Sequence, residues 1–166
     1  MSWPSDTFCS FGWNHQFLGP GGQVKPCCRF TGQVIPKENN IRDYSLSEVF
    51  TGDFQTDLRD DMLHGRRNGG CIKCWQEEDA GKNMSIRQNY NRDIERLGDL
   101  HYDLDVNNPK ITWLELSFNN RCNIRCRMCG PYLSTNWYQD WELVKEYIPL
   151  KQDNIPKYII FFFFCF

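Results

Sequence analysis

The sequence predicts a mixed fold, α+β in its first part and α/β in its second, and two patterns support this prediction. A hairpin signal followed by amphipathic helical stretches fills residues 1–108, with cysteines between them, so we expect a small hairpin-plus-helices domain there. A strand, a helix and a second apolar run fill residues 109–166, which is the order of a βα(β) unit. The 166 residues suffice for two small domains with this boundary.

The composition excludes several classes of function. Charged residues make up 24% of the chain and the formal net charge is −2, so we expect neither a nucleic-acid partner nor an anionic membrane surface. No basic and apolar N-terminal pattern of a secretory signal is present. Nine cysteines without such a signal favour metal binding over disulfides, and we expect a cytoplasmic location.

The first element is a β-hairpin flanked by cysteines. Residues 13–18 lead into a Gly-Pro-Gly-Gly turn, and residues 23–30 run back. Cys9 precedes the hairpin, and Cys27 lies on its returning arm. A tight hairpin needs a residue with positive φ, which Gly22 provides.

Helices follow the hairpin. Capping-box patterns at Ser45 and Ser85 predict helices that run through Phe50 and to Leu97, and we expect a further helix over residues 53–64. The apolar positions of that further helix are expected in the core: Phe54, Leu58, Met62 and Leu63. The polar positions of the last helix are expected in solvent: Asn91, Arg92, Asp93, Glu95 and Arg96.

A C-x2-C pair, Cys71 and Cys74, opens another helix over residues 76–80, where N-terminal amides favour thiolates. With the two hairpin cysteines it gives four thiol ligands, the N-terminal quartet: Cys9, Cys27, Cys71 and Cys74. A structural zinc ion and a [4Fe–4S] cluster fit four thiolates equally well on physical grounds. Cys28 is the alternative to Cys27 as a ligand. Neighbouring side chains on a strand point to opposite faces, so only one of the two thiols should ligate easily.

Three further cysteines follow the predicted strand over residues 111–118, in the spacing C-x3-C-x2-C. They form the downstream trio: Cys122, Cys126 and Cys129. Gly130 and Pro131 end this loop, and a helix is expected over residues 132–147. Three clustered thiolates leave one metal position open for a small molecule.

The strand followed by C-x3-C-x2-C resembles the radical S-adenosylmethionine (radical SAM) superfamily. The resemblance implies a [4Fe–4S] cluster on the downstream trio, with S-adenosyl-L-methionine (SAM) on its open iron. Met128 stands where the family usually has an aromatic residue, and its thioether can pack on adenine. The resemblance further implies that residues 109–166 begin an incomplete (β/α) barrel, so we expect a truncated and catalytically weak chain.

The sequence from Cys9 through Gly22 to Cys27 resembles the opening of the SPASM and twitch domains, which carry auxiliary iron–sulfur clusters. The resemblance implies an auxiliary [4Fe–4S] cluster on the N-terminal quartet. It also implies a peptide or protein substrate and an electron donor such as flavodoxin or ferredoxin.

Two other functions remain open: a non-enzymatic zinc-binding module and an electron-transfer protein without SAM. His15, His64 and His101 have no partner at a recognisable spacing and are assigned no role. The final apolar run, residues 158–166, is too short to span a bilayer as a helix and is expected to form a buried strand.

Overall fold

The computed structural model describes residues 3–31, 35–97, 105–117, 119–127, 129–131 and 134–147. The chain divides into two compact units, the first comprising Met1–Leu18 and Gly22–Leu116 and the second comprising Gly19–Gly21 and Ser117–Phe166. The predicted boundary between residues 108 and 109 concerns functional domains and stays a prediction.

The first unit is a small mixed α/β fold with helices around a three-stranded sheet. Its elements are α1 (Phe11–Asn14), β1 (His15–Leu18), β2 (Val24–Lys25), α2 (Leu46–Thr51), α3 (Asp53–Leu63), α4 (Ile72–Asp79), α5 (Ile86–Leu97) and β3 (Trp113–Leu116). The mixed fold class is therefore confirmed, whereas the beginning of a radical SAM barrel is not shown.

The sheet has the order β2-β1-β3, so β1 is its central strand. β1 pairs antiparallel with β2, and Phe17 lies opposite Lys25. It pairs parallel with β3, and His15 lies opposite Trp113. The hairpin predicted from the turn signal is thus confirmed, and the predicted strand over residues 111–118 supplies the third strand.

Gly22 adopts the positive φ expected of it, +86°. An added Cβ would lie 2.7 Å from the side-chain oxygen of Asn40, so space as well as backbone conformation requires glycine here. The start of the hairpin was predicted too early, because Trp13 and Asn14 belong to α1 rather than to β1.

Helices α2 and α3 confirm the capping and periodicity signals. Ser45 and Glu48 form a reciprocal capping box at the start of α2. α3 ends beside Gly65, whose φ of +70° is typical of a helix C-terminus. Leu58 and Met62 are buried in the hydrophobic core, and the other two predicted core positions of α3 pack against it.

Helix α4 begins four residues earlier than expected, at Ile72, so Cys74 lies within its first turn. At the start of α5, Ser85 and Gln88 exchange the hydrogen bonds of a second capping box. The prediction that Asn91 faces solvent is wrong, because its side chain is buried and accepts two hydrogen bonds from Ser10.

The apolar residues of β3 are unusually exposed for a strand. Trp113 retains 48% of its surface and Leu116 retains 45%. Trp113 nevertheless packs edge-on against Phe11 of the core. Among the described residues, no helix is long and apolar enough to cross a membrane.

The second unit contains a 3₁₀-helix (Thr135–Trp137) that continues into α6 (Tyr138–Val144). The helix expected over residues 132–147 begins later, because Ser134 is extended. Trp141 is buried, as expected of an apolar helix position. Two predicted features lie outside the described residues: Met128 and the apolar run over residues 158–166.

Candidate metal centre

All four thiols of the N-terminal quartet line one cavity in the first unit. Cys9 lies two residues before α1, which leads into the central strand, and the hairpin returns the chain to Cys27. The segment after Cys27 lies beside the C-x2-C pair, since the Thr31 N–H donates to the Gly70 carbonyl at 2.8 Å. Local hairpin geometry and one long-range backbone contact therefore bring three stretches of chain together.

The cavity is small and its other walls are apolar or cationic. Its volume is about 20 Å³, close to the room that one water molecule needs. Within the described part of the chain, no three His, Cys, Asp or Glu side chains converge so as to hold a single metal ion. The non-cysteine walls include Phe11, Phe30, Met62, Ile86, Arg29 and Arg87.

Burial governs the protonation of these thiols. Burial raises the pKa of Cys27 to about 12, and it raises the pKa of Cys9 well above the ordinary value, with the neighbouring thiolates adding to the rise. It also raises the pKa of Cys71 and of Cys74. The thiols are therefore protonated at neutral pH, and binding of metal ions would release their protons.

Backbone N–H groups point at several of the sulfurs. Cys27 accepts hydrogen bonds from the N–H groups of Arg29 and Phe30, and Cys9 accepts one from Phe11. Cys74 accepts one from Arg87, which lies in the first turn of α5, where N–H groups lack a partner within the helix. These donors favour the charged form of sulfur and are the kind of contact that tunes a thiolate-bound cluster.

Two arginines border the cavity, and each is held by a glutamate of α4. The side chain of Arg29 pairs with Glu77 at 2.7 Å. The side chain of Arg87 makes two contacts with Glu78, at 2.7 and 3.0 Å. Fixed positive charge thus lies beside four groups that become anionic when they bind metal.

Cys27 and Cys28 have different surroundings. Cys27 lines the cavity, whereas the Cys28 thiol lies against the side chain of Glu115 and is absent from the cavity wall. Burial and the neighbouring Glu115 carboxylate raise the pKa of Cys28. This placement favours Cys27 over Cys28 as the member of the N-terminal quartet.

The imidazole of His15, at the start of β1, is buried. Its Nδ1 lies 2.9 Å from the Pro26 carbonyl, and its Nε2 lies 3.6 Å from Glu115. Burial lowers the pKa of His15 although both neighbours oppose the change, so the ring is neutral at neutral pH and Nδ1–H donates to Pro26.

We expect acid to destabilise the first unit through His15. Because its folded-state pKa lies below the unfolded value of 6.5, its contribution is fully present above pH 6.5 and is lost as the pH falls below that value. Urea unfolding of the chain at pH 7.5 and pH 5.5 would measure the loss. His15→Asn should flatten this dependence; a loss of stability between the two pH values as large in His15→Asn as in the parent would contradict the assignment.

The downstream trio lies in the second unit on an exposed loop. Cys122 and Cys126 are exposed, Cys129 is half-buried, and the Cys129 N–H donates to the Cys126 carbonyl at 3.0 Å. The described residues do not bring these three thiols into a group that could hold one metal ion. Their role as cluster ligands therefore stays a prediction.

Asn120 organises this loop, and the sequence reasoning gave it no role. Its side chain is buried and donates to the Tyr138 hydroxyl at 2.8 Å, while its carbonyl accepts from the Thr135 N–H at 2.8 Å. The buried arginine Arg87 was likewise missed. A polar residue in a helical pattern is usually solvated, so Arg87 carries no local signal of its burial. The partners of Asn120 lie more than ten residues further along the chain, so no local pattern indicates them either.

Comparison with known proteins bears on the first unit. Residues 9–75 match the family model of SPASM, described as an iron–sulfur cluster-binding domain. A search of curated proteins and a search of solved structures each found no match. The matched segment begins at the first cysteine of the N-terminal quartet and ends one residue after the last. This segment is therefore similar to SPASM domains, and the similarity indicates iron–sulfur cluster binding.

Proposed function

We propose that the first unit binds an auxiliary [4Fe–4S] cluster through the N-terminal quartet. The observation that carries the proposal is that four thiols from three separate stretches line one cavity inside the segment that resembles an iron–sulfur domain. Four thiolates can occupy all four irons of such a cluster, which leaves no position for a substrate. Electron transfer is the chemistry that a fully ligated cluster supplies.

The residues around the cavity fit such a group. Thiolates are the usual cluster ligands, and backbone N–H donors and nearby charge are the usual means by which a protein adjusts a cluster.

The proposal extends to the downstream trio. There, Cys122, Cys126 and Cys129 would hold a second [4Fe–4S] cluster with an open iron for SAM, and Met128 would contact the adenine. Such a cluster would supply one electron for reductive cleavage of SAM, which would yield methionine and a 5′-deoxyadenosyl radical. The substrate would be a peptide or protein, and a flavodoxin or ferredoxin would donate electrons. The exposed loop, fastened by Asn120, supports access for a small molecule.

Anaerobic reconstitution with iron and sulfide tests the first site alone. The starting protein carries alanine at all three cysteines of the downstream trio, so only the N-terminal quartet can respond. We expect it to take up about four iron and four sulfide per chain and to show a broad visible absorption that bleaches on reduction. Adding Cys74→Ser should lower iron uptake several-fold, because one of four ligands is lost.

Cys28→Ser is the matched control, since this thiol neighbours a proposed ligand but does not line the cavity. It should retain full iron uptake. A colourless protein that binds one zinc ion per chain instead would support the zinc-binding module. Equal iron uptake with and without Cys74 would contradict the proposed ligand set.

A further inference from the structure

Arg87 joins three of the elements that surround the cavity. Its guanidinium donates from Nη1 to the Phe8 carbonyl at 2.7 Å, directly before Cys9. Nε and Nη2 donate to the two carboxylate oxygens of Glu78 in α4. Its backbone N–H donates to the sulfur of Cys74. One residue of α5 therefore touches both the segment that carries Cys9 and the helix that carries Cys74.

The charge of this arginine lies in a shielded place. Only 8% of the Arg87 side chain and 12% of the Glu78 side chain are exposed. The guanidinium also lies 5.0 Å from the centre of the Trp75 ring, which covers it further. Charges that water cannot screen act over longer distances than surface charges do.

Arg87 and Glu78 are placed differently relative to the cavity. Arg87 is part of the wall together with all four thiols, whereas Glu78 is not part of that wall and bonds to the Arg87 guanidinium. The pair therefore presents its cationic member to the cavity, and the two charges do not cancel there.

We propose that the Arg87–Glu78 pair sets the redox potential of the group held by the N-terminal quartet, with Arg87 favouring the reduced state and Glu78 the oxidised state. The proposal rests on the cluster function proposed above. One-electron reduction of a bound cluster adds one negative charge, and a fixed cation nearby stabilises that charge more than it stabilises the oxidised form.

Potentiometric titration of the reconstituted chain tests the effect of Arg87 and Glu78 on the redox potential. The three cysteines of the downstream trio are again replaced by alanine. At a fixed solution potential, Arg87→Gln should lower the ratio of reduced to oxidised cluster about tenfold, a shift of about 59 mV for one electron. Glu78→Gln should raise the ratio. Arg87→Lys keeps the charge and should restore the ratio toward that of the parent, even where the lost hydrogen bonds reduce iron retention.

Arg67→Gln is the matched control. Arg67 also pairs through two hydrogen bonds with an acid of α4, Asp79, and also lies over Trp75, but its side chain is 52% exposed and does not line the cavity. Its loss should leave the ratio unchanged. Shifts of the same sign in Arg87→Gln and Glu78→Gln, or no shift in either, would overturn the proposal. Failure of the parent to bind any cluster would instead overturn the proposed function.

Discussion

Gly70→Ala is expected to destabilise the first unit by about 3 kcal/mol, at the upper end of the range for overpacking. A Cβ at this position would lie only 1.9–2.4 Å from three ring atoms of Phe30. The ring is buried and packs edge-on against Phe54, so it cannot move without displacing core side chains. Chemical denaturation of the two proteins measures the difference in free energy of unfolding.

Gly69→Ala provides the control, because no atom of the described residues lies within 4 Å of a Cβ there. Neither glycine has a positive φ, so the two substitutions differ in space and not in backbone strain. We expect Gly69→Ala to change stability by no more than about 0.5 kcal/mol. Similar unfolding midpoints for the two variants would show that Phe30 relaxes freely, contrary to the packing described. Because Phe30 and the neighbouring Cys71 border the cavity, Gly70→Ala should also impair iron uptake.

Arg59→Ala is expected to lower the free energy of unfolding by about 3–5 kcal/mol, because two hydrogen bonds from a charged donor and a buried side chain are lost together. Nε donates to the Gly12 carbonyl at 2.8 Å, and Nη2 donates to the Phe50 carbonyl at 2.7 Å. The guanidinium lies 4.4 Å from the centre of the Phe50 ring. Burial lowers the pKa of Arg59 to about 10, so the side chain remains charged at neutral pH.

Arg66→Ala is the matched comparison, since Arg66 follows the same helix but pairs with Asp60 and Asp61 at the surface. It should unfold at the same denaturant concentration as the parent, because exposed ion pairs contribute little. The free energy of unfolding of Arg59→Lys should lie between those of Arg59→Ala and the parent. Lysine keeps the charge but lacks the planar guanidinium that donates both hydrogen bonds. Wild-type stability in Arg59→Ala would mean that water replaces both hydrogen bonds.

Much of the first unit could be predicted because its signals are local. The capping boxes at Ser45 and Ser85, the spacing of apolar residues in α3 and the glycine of the hairpin each depend on neighbours a few residues away. The burial of Asn91 depends instead on Ser10, which is far away in the chain. Periodicity assigns a polar residue to solvent and contains no information about such a distant partner.

The candidate site likewise has features that the sequence predicts and features that it does not. The cysteine spacings predict which thiols belong together, and the N-terminal quartet indeed shares one cavity. The spacing does not predict that Arg87 borders it or that Glu78 pairs with Arg87 there, because ion pairs between helices leave no periodic trace in a sequence. For the downstream trio the spacing predicts a shared site, but spacing alone does not determine where the three side chains lie relative to one another.

The parallel pairing of β1 with β3 bears on the order in which the chain acquires its structure. The paired residues lie far apart in the chain, as His15 of β1 and Trp113 of β3 do. On a ribosome the hairpin and helices α1 to α5 emerge before β3 is synthesised, so until then the edge of β1 that pairs with β3 is unpaired. Closing so large a loop is slow compared with forming the hairpin. Docking of β3 is therefore the late step of folding, and β1 is the edge most available to a chaperone or to a neighbouring chain until it occurs.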